Sequence, residues 1–97
     1  MSEAAAEGSG VRRTVTIVNR RGLHARAAAR FVKLAAQYNA DISVAKNGTV
    51  VSGLSIMGLM MLAAGPGTEI EIRASGAQAI EAVAALGALV IGKFDEE

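Results

Sequence analysis

The dipeptide Asn47-Gly48 restricts the fold of this chain more than any other feature, because it predicts a tight β-hairpin. A two-residue loop of type I′ needs positive φ at both positions, and asparagine and glycine adopt this conformation readily. Before the turn the residues alternate, with Ile42 and Val44 inward. A two-residue loop sets the register so that Val44 opposes Val51. The centre of the chain is therefore predicted to be an antiparallel pair with Val51 facing the core.

The remaining segments alternate between strand-like and helix-like patterns. In addition to the hairpin strand Asp41–Lys46, apolar alternation predicts strands over Arg13–Val18 and Thr68–Ala74. Helical spacing predicts helices over Ala25–Tyr38 and Ala77–Ile91. Ser55 is a predicted N-cap for a third, short helix, because serine side chains accept hydrogen bonds from first-turn amides. Four amphipathic strands need one covered face, which three helices can supply.

We therefore predict an α+β fold, an open-faced two-layer β-sandwich in the order β-α-β-β-α-β-α. A split β-α-β arrangement puts the last strand between the first and the second. The sheet is then antiparallel, with four strands in the order 1-4-2-3 and all three helices on one face. The predicted inward stripes of the two longer helices are Ala28, Phe31, Ala35 and Tyr38 in the first, and Ile80, Val83, Leu86 and Val90 in the last.

The chain has 97 residues, of which 52% are hydrophobic, and this suits one small domain with a single core. We expect a disordered N-terminal tail over residues 1–10, the folded domain over residues 11–92 and an acidic tail over residues 93–97. No cysteine is present and there is one histidine, so neither a disulfide nor a zinc site is expected. No metal and no cofactor are predicted.

Composition also argues against several classes of partner. The net charge is +1, with one tyrosine, two phenylalanines and no tryptophan, which disfavours a nucleic-acid-binding module. No apolar run reaches the roughly 18 residues of a membrane span, and the N-terminal residues lack a signal-peptide pattern. We expect a cytoplasmic protein without stable membrane association.

The only histidine, His24, lies where a loop is predicted to become a helix. Gly22 precedes it by two positions and Arg26 follows it by two. A helix N-terminus offers free N–H groups and the positive end of the helix dipole, which suit an anion. An imidazole beside a guanidinium at this place can accept and hold a phosphoryl group. The alternative interpretation is a capping or surface histidine without chemistry.

Two segments resemble the signatures of the HPr family, the histidine-containing phosphocarriers of the bacterial phosphotransferase system. The first family signature is G-[LIM]-H-A-R-P-A, and Gly22-Leu23-His24-Ala25-Arg26-Ala27-Ala28 matches it except that alanine replaces the proline. The second surrounds a regulatory serine and resembles Ser55-Ile56-Met57-Gly58-Leu59-Met60. The resemblance covers about residues 11–92, and the family's sheet order is the one predicted above.

The resemblance implies that enzyme I passes a phosphoryl group from phosphoenolpyruvate to Nδ1 of His24. The protein then hands it to a histidine of an enzyme IIA component, so it is a carrier and not an enzyme. Arg26 is implied to neutralise the phosphate oxygens, with the backbone amides of Ala25 and Arg26 as donors.

The resemblance further implies a docking surface and a regulatory site. The partner-docking residues would be Ile56, Met57 and Met60, and in some relatives an HPr kinase/phosphorylase phosphorylates the residue that corresponds to Ser55. We expect the carrier to be a monomer.

Several functions remain open at this point. If the protein is a phosphocarrier, the sequence does not distinguish a role in sugar uptake from a role in the nitrogen-related regulatory branch. A small-molecule-binding regulatory domain of ACT or ferredoxin-like type would have a similar order of elements but would not need His24. A basic RNA-binding module is the least favoured.

Overall fold

The computed structural model describes residues 10–96 and confirms the predicted architecture. The strands are β1 (Gly10–Thr16), β2 (Asp41–Lys46), β3 (Thr49–Ser52) and β4 (Glu69–Ser75). The helices are α1 (Ala25–Ala35), α2 (Ile56–Met61) and α3 (Ala79–Ile91). A 3₁₀-type turn follows at Lys93–Asp95. All strand pairs are antiparallel and the order is β1-β4-β2-β3.

The hairpin forms with the predicted register. Asn47 and Gly48 have φ of 49° and 86°, and Val44 lies opposite Val51. Val50 points to the other side and is 51% exposed. The Asn-Gly sequence therefore sets both the turn and the face that β3 presents to the core.

The central strand β4 joins the two halves of the sheet. Ile70 pairs with Val15 of β1, and Ile72 pairs with Val44 of β2, all four side chains being buried. The alternate positions of β4 lie on the open face, which is why Glu69 is exposed. The core lies between this covered face and the helices.

Element boundaries differ from the prediction by a few residues. β1 begins at Gly10, three residues before the predicted start, because its pairing with β4 extends until Gly10 lies opposite Ser75. Residues 1–9, which make up nearly all of the expected N-terminal tail, lie outside the described residues. Among residues 10–96, no helix has the length and apolar character that spanning a membrane requires.

The predicted inward stripe of the last helix is wrong at one position. Ile80 is 72% exposed, whereas Ala79 and Ala82 are buried together with Val83 and Leu86. Small side chains let α3 approach its neighbours closely, so the buried stripe is rotated toward the alanines. Apolar spacing alone favoured the larger isoleucine, because it does not report how close the two layers are.

Residues 93–96, which belong to the segment expected to be an acidic tail, fold back onto the domain. Phe94 is completely buried, and Nη1 of Arg30 donates a hydrogen bond to its carbonyl oxygen at 2.5 Å. Lys93, Phe94 and Asp95 have φ of 61°, 55° and 61°, a left-handed conformation that costs non-glycine residues about 1–2 kcal/mol each. Burial of the Phe94 side chain helps to offset that cost.

Candidate functional site

A glycine in the left-handed region shapes the loop before His24. Gly22 has φ of 66°, and a Cβ at this position would lie 2.5 Å from the carbonyl oxygen of Ala64. The next residue, Leu23, donates its amide to the same oxygen at 2.9 Å. The loop before α1 is thereby held against the segment that follows α2.

His24 is the N-cap of α1, as its place in the sequence predicts. Its backbone is extended, its side chain makes no capping hydrogen bond, and its carbonyl oxygen accepts from the Ala28 amide at 2.8 Å. The amides of Ala25, Arg26 and Ala27 precede this first intrahelical bond and have no partner within the helix. The imidazole and three donor groups therefore lie at the positive end of the helix dipole.

The departure from the family signature lies within this first turn, and we expect Ala27→Pro to fold and to be as stable as the parent or slightly more so. Ala27 is the third helical residue, so proline there removes no intrahelical bond. It also restricts the unfolded chain, which stabilises by about 0.4–1 kcal/mol where the geometry fits.

Ala28→Pro is the matched control for this prediction, because the Ala28 amide does donate to His24. That variant should lose about 3 kcal/mol or more in urea denaturation. If Ala27→Pro lost a similar amount, the local backbone would have diverged from that of the family.

Both ring nitrogens of His24 face oxygen atoms. Nδ1 lies 3.0 Å from the carbonyl oxygen of Gly22, and Nε2 lies 2.9 Å from Oε2 of Glu96, with the two side chains only 18% and 16% exposed. The Glu96 contact has the distance of an ion pair, but within residues 10–96 Nε2 has no well-aligned hydrogen bond. The contact is therefore close but is not a directed hydrogen bond.

Asn19 forms hydrogen bonds to both of the groups that the His24 ring contacts, the Gly22 carbonyl and the Glu96 carboxylate. It is completely buried, and its Nδ2 donates to the carbonyl oxygen of Gly22 at 2.8 Å and to Oε1 of Glu96 at 3.2 Å. The carbonyl oxygen of Gly22 thus lies within hydrogen-bonding distance of both Asn19 and His24. Sequence reasoning missed Asn19 and Glu96, because an asparagine in a loop and a glutamate near the end of the chain carry no pattern of their own.

Arginines surround a pocket of about 310 Å³ beside this histidine. Arg26 and the partly buried Arg30 come from α1, and two more arginines come from the preceding loop. The lining residues are Arg20, Arg21, Arg26, Arg30, Asp95 and Glu96. Four arginines from the first third of the chain thus line one pocket together with two carboxylates.

The second sequence motif forms the N-terminus of α2. Oγ of Ser55 accepts a hydrogen bond from the Gly58 amide at 2.9 Å, which confirms the predicted N-cap. A Cβ at Gly58 would lie 3.0 Å from that Oγ, so glycine keeps the cap uncrowded. α2 packs beside α1, so both motifs belong to one side of the molecule.

The outer face of α2 is apolar and exposed. Ile56, Met57 and Met60 are 40%, 71% and 43% exposed. The structure adds Met61, at 76%, and Leu54, at 55%, to the same exposed group. Helical spacing could not identify Met61, because almost every residue of this short helix is apolar, and Leu54 lies before the helix begins.

Comparison with known proteins gives consistent matches. The family model described as the PTS HPr component phosphorylation site matches residues 11–91. The phosphocarrier protein HPr of Neisseria meningitidis is 46% identical over 86 residues, covering 89% of this chain and 97% of the relative. The phosphocarrier protein NPr of Shewanella violacea is 43% identical over 84 residues, covering 87% and 92%. The crystal structure of HPr-C-His from Thermoanaerobacter tengcongensis has a TM-score of 0.85 at 40% identity, covering 90% and 98%.

The fold and these matches define a small phosphocarrier protein of the phosphotransferase system. Within that class the chain belongs to the HPr family, because the family model spans most of the domain and the relatives are matched over nearly their whole length. Its relatives include proteins named HPr and proteins named NPr.

Proposed function

We propose that this protein accepts a phosphoryl group from phosphorylated enzyme I on Nδ1 of His24 and passes it to a histidine of an enzyme IIA component. The observation that carries the proposal is the position of the only imidazole, at the N-terminus of α1 beside the arginine-lined pocket. A small-molecule-binding regulatory domain would have no use for that combination.

The proposed reaction requires the protein mainly to position the imidazole and to stabilise the charge on the phosphoryl group. With the ring proton on Nε2, the lone pair of Nδ1 forms the new bond to phosphorus, while the bond between phosphorus and the donor's nitrogen breaks and returns its electron pair to the donor. Such transfers pass through a loose transition state, so catalysis consists mainly of alignment and charge stabilisation. Arg26 neutralises phosphate oxygens, and the free amides of Ala25 and Arg26 donate to them.

The exposed residues of α2 serve in this proposal as the docking surface for both partners. Ile56, Met57 and Met60 lie on the side of the molecule that carries α1, which lets one contact surface bring a partner's histidine to His24. Methionine side chains adapt to different surfaces, and this suits a carrier that binds a donor and an acceptor in turn. One chain completes the core, which supports a monomer, and size-exclusion chromatography with light scattering tests this.

Phosphoryl transfer is tested by incubating the protein with phosphoenolpyruvate and enzyme I. We expect the mass of one phosphoryl group to be added and to be lost in acid, as a phosphorus–nitrogen bond requires. A protein that stays unmodified while a known HPr is phosphorylated in the same mixture would refute the proposal.

The nitrogen-related branch remains the alternative to sugar uptake, because NPr proteins are among the relatives. Offering the phosphorylated protein to purified enzyme IIA components of both branches decides between them. The branch is the one whose component takes up the phosphate faster.

We also propose that Ser55 is a regulatory phosphorylation site for an HPr kinase/phosphorylase. Ser55→Asp should keep its melting temperature, because aspartate is as good an N-cap as serine and suits the helix dipole. It should accept phosphate from enzyme I more slowly, since the added charge lies beside the apolar docking surface.

Ser52→Asp is the control for that variant, because it adds the same charge on the open face of the sheet, at the position opposite Ser43. Its rate of phosphate uptake should equal that of the parent. Equal rates for Ser55→Asp and the parent would count against a regulatory role for Ser55.

A further inference from the structure

Lys46, the last residue of β2, connects the hairpin to the segment that follows α2. Its Nζ donates hydrogen bonds to the carbonyl oxygen of Leu62 at 3.0 Å and to that of Ala63 at 3.4 Å. Lys46 comes directly before the Asn47-Gly48 turn and lies opposite Thr49, so its place at the end of the sheet is fixed by the hairpin. One ammonium group therefore joins the hairpin to a segment 16 and 17 residues further along the chain.

The two carbonyl groups lie at the C-terminal end of α2, where a cation is stabilising. Leu62 is the C-cap of this helix, and the end of a helix carries unpaired carbonyl groups and the negative end of the helix dipole. Ala63 has φ of 53°, a left-handed conformation that a residue other than glycine keeps only when its surroundings hold it. Lys46 binds the peptide groups on both sides of the Ala63 Cα, and it therefore holds this conformation directly.

The next residue, Ala64, extends this restraint to the loop before His24. Its carbonyl oxygen accepts from the Leu23 amide at 2.9 Å and lies 2.5 Å from the position that a Cβ at Gly22 would occupy. The carbonyl oxygen of Gly22 in turn lies 3.0 Å from Nδ1 of His24. The ammonium group is thus linked to the imidazole through backbone groups that are either bonded to each other or in contact.

Close packing prevents this link from absorbing a displacement. Leu62, Ala64 and Leu23 are 4%, 3% and 5% exposed, so all three belong to the core. Protein interiors are close-packed and transmit strain, so a shift of residues 62–64 has to be followed by the loop that they contact. The position of the imidazole therefore depends on how firmly residues 62–64 are held.

We propose that Lys46 is a positioning residue for phosphoryl transfer, because its ammonium group holds residues 62–64 and these fix the loop that presents His24. The proposal rests on the proposed function, since it takes His24 to be the acceptor. Lys46 acts through the backbone that follows α2 and not through contact with the phosphoryl group.

The first test is amide hydrogen exchange at Leu23, which needs no partner protein. Lys46→Met keeps an unbranched side chain and removes the ammonium group. Exchange at Leu23 should become severalfold faster, because the Ala64 carbonyl is held less firmly, while exchange at Ile72 of β4 stays the same. Lys46→Arg should restore the protection, since a guanidinium group can donate to the same two carbonyl oxygens.

Two results of this test would overturn the proposal. Unchanged exchange at Leu23 would show that Lys46 does not hold the loop. An equal increase at Leu23 and at Ile72 would show a loss of overall stability without a local effect. Lys46 is half-buried, so the variants should fold, and Lys46→Gln replaces Lys46→Met in both tests if urea denaturation shows otherwise.

The second test measures phosphate uptake by the full chain from phosphorylated enzyme I. The maximal rate for Lys46→Met should fall severalfold, while the carrier concentration at half the maximal rate stays the same, because the exposed side chains of α2 are unchanged. Lys46→Arg should recover the rate. Arg12→Met is the matched control, because it also removes one positive charge but lies opposite Arg73 on the open face of the sheet. Its rate should equal that of the parent.

The kinetic outcomes separate positioning from the other roles of a lysine. An unchanged maximal rate for folded Lys46→Met would overturn the proposal, and so would a change confined to the half-saturating concentration, which would assign Lys46 to docking. If instead the parent gained no acid-labile phosphate from enzyme I, the proposed function would fail. Exchange at Leu23 would then still decide whether Lys46 holds the loop before α1.

Discussion

His24→Ala should fold like the parent and take up no phosphate from enzyme I. The side chain makes no capping hydrogen bond, so its removal should cost less than the roughly 1 kcal/mol typical of a lost N-cap. The chain has no second histidine that could replace it as acceptor. Mass spectrometry of the variant after incubation with phosphoenolpyruvate and enzyme I measures the loss directly.

The same variant also tests whether docking to enzyme I depends on the histidine that accepts the phosphoryl group. The exposed face of α2 is untouched by the substitution, so His24→Ala should still compete with the parent for enzyme I and slow the parent's phosphorylation. A mass gain equal to that of the parent, stable or labile, would show that another residue is the acceptor. Failure to compete would show that the histidine itself contributes to docking.

Gly22→Ala should have the second-largest effect, on both stability and phosphoryl uptake. The added Cβ would meet the carbonyl oxygen of Ala64 at 2.5 Å, and φ of 66° is unfavourable for alanine. The loop must move to relieve the clash, and it would shift the carbonyl oxygen that contacts Nδ1 of His24. Uptake should fall by roughly ten- to a hundredfold, since a displacement of about 1 Å at a reacting group can cost about 100-fold.

Gly48→Ala is the control for Gly22→Ala. Gly48 has φ of 86°, and a Cβ there would meet no atom within 4 Å, so this variant carries the backbone strain without the clash. It should lose about 1–2 kcal/mol in urea denaturation and keep the parent's rate of phosphate uptake. If both variants lost equal stability and both kept their rates, contact with Ala64 would not position the site.

Local signals predicted those parts of the fold that depend on neighbouring residues. The Asn47-Gly48 turn, the serine cap at Ser55 and the helix that begins after His24 each depend on a few adjacent positions, so the sequence alone determines them. The apolar alternation of the strands then restricts the sheet to one covered face, and the order of elements limits how the strands can be arranged. The motif around His24 lies within one loop and one helical turn, which is why its residues could be named before the fold was known.

What only the tertiary structure decided concerns residues far apart in the chain. Glu96 contacts His24 because the burial of Phe94 holds residues 93–96 against α1, and no short-range pattern encodes that approach. The exposure of Ile80 depends on how closely α3 packs, which varies with the small side chains beneath it. The environment of a side chain is the sum of all elements packed around it. A local sequence therefore determines which side chain lies at the helix N-terminus, while the complete fold determines which charges and oxygen atoms it faces.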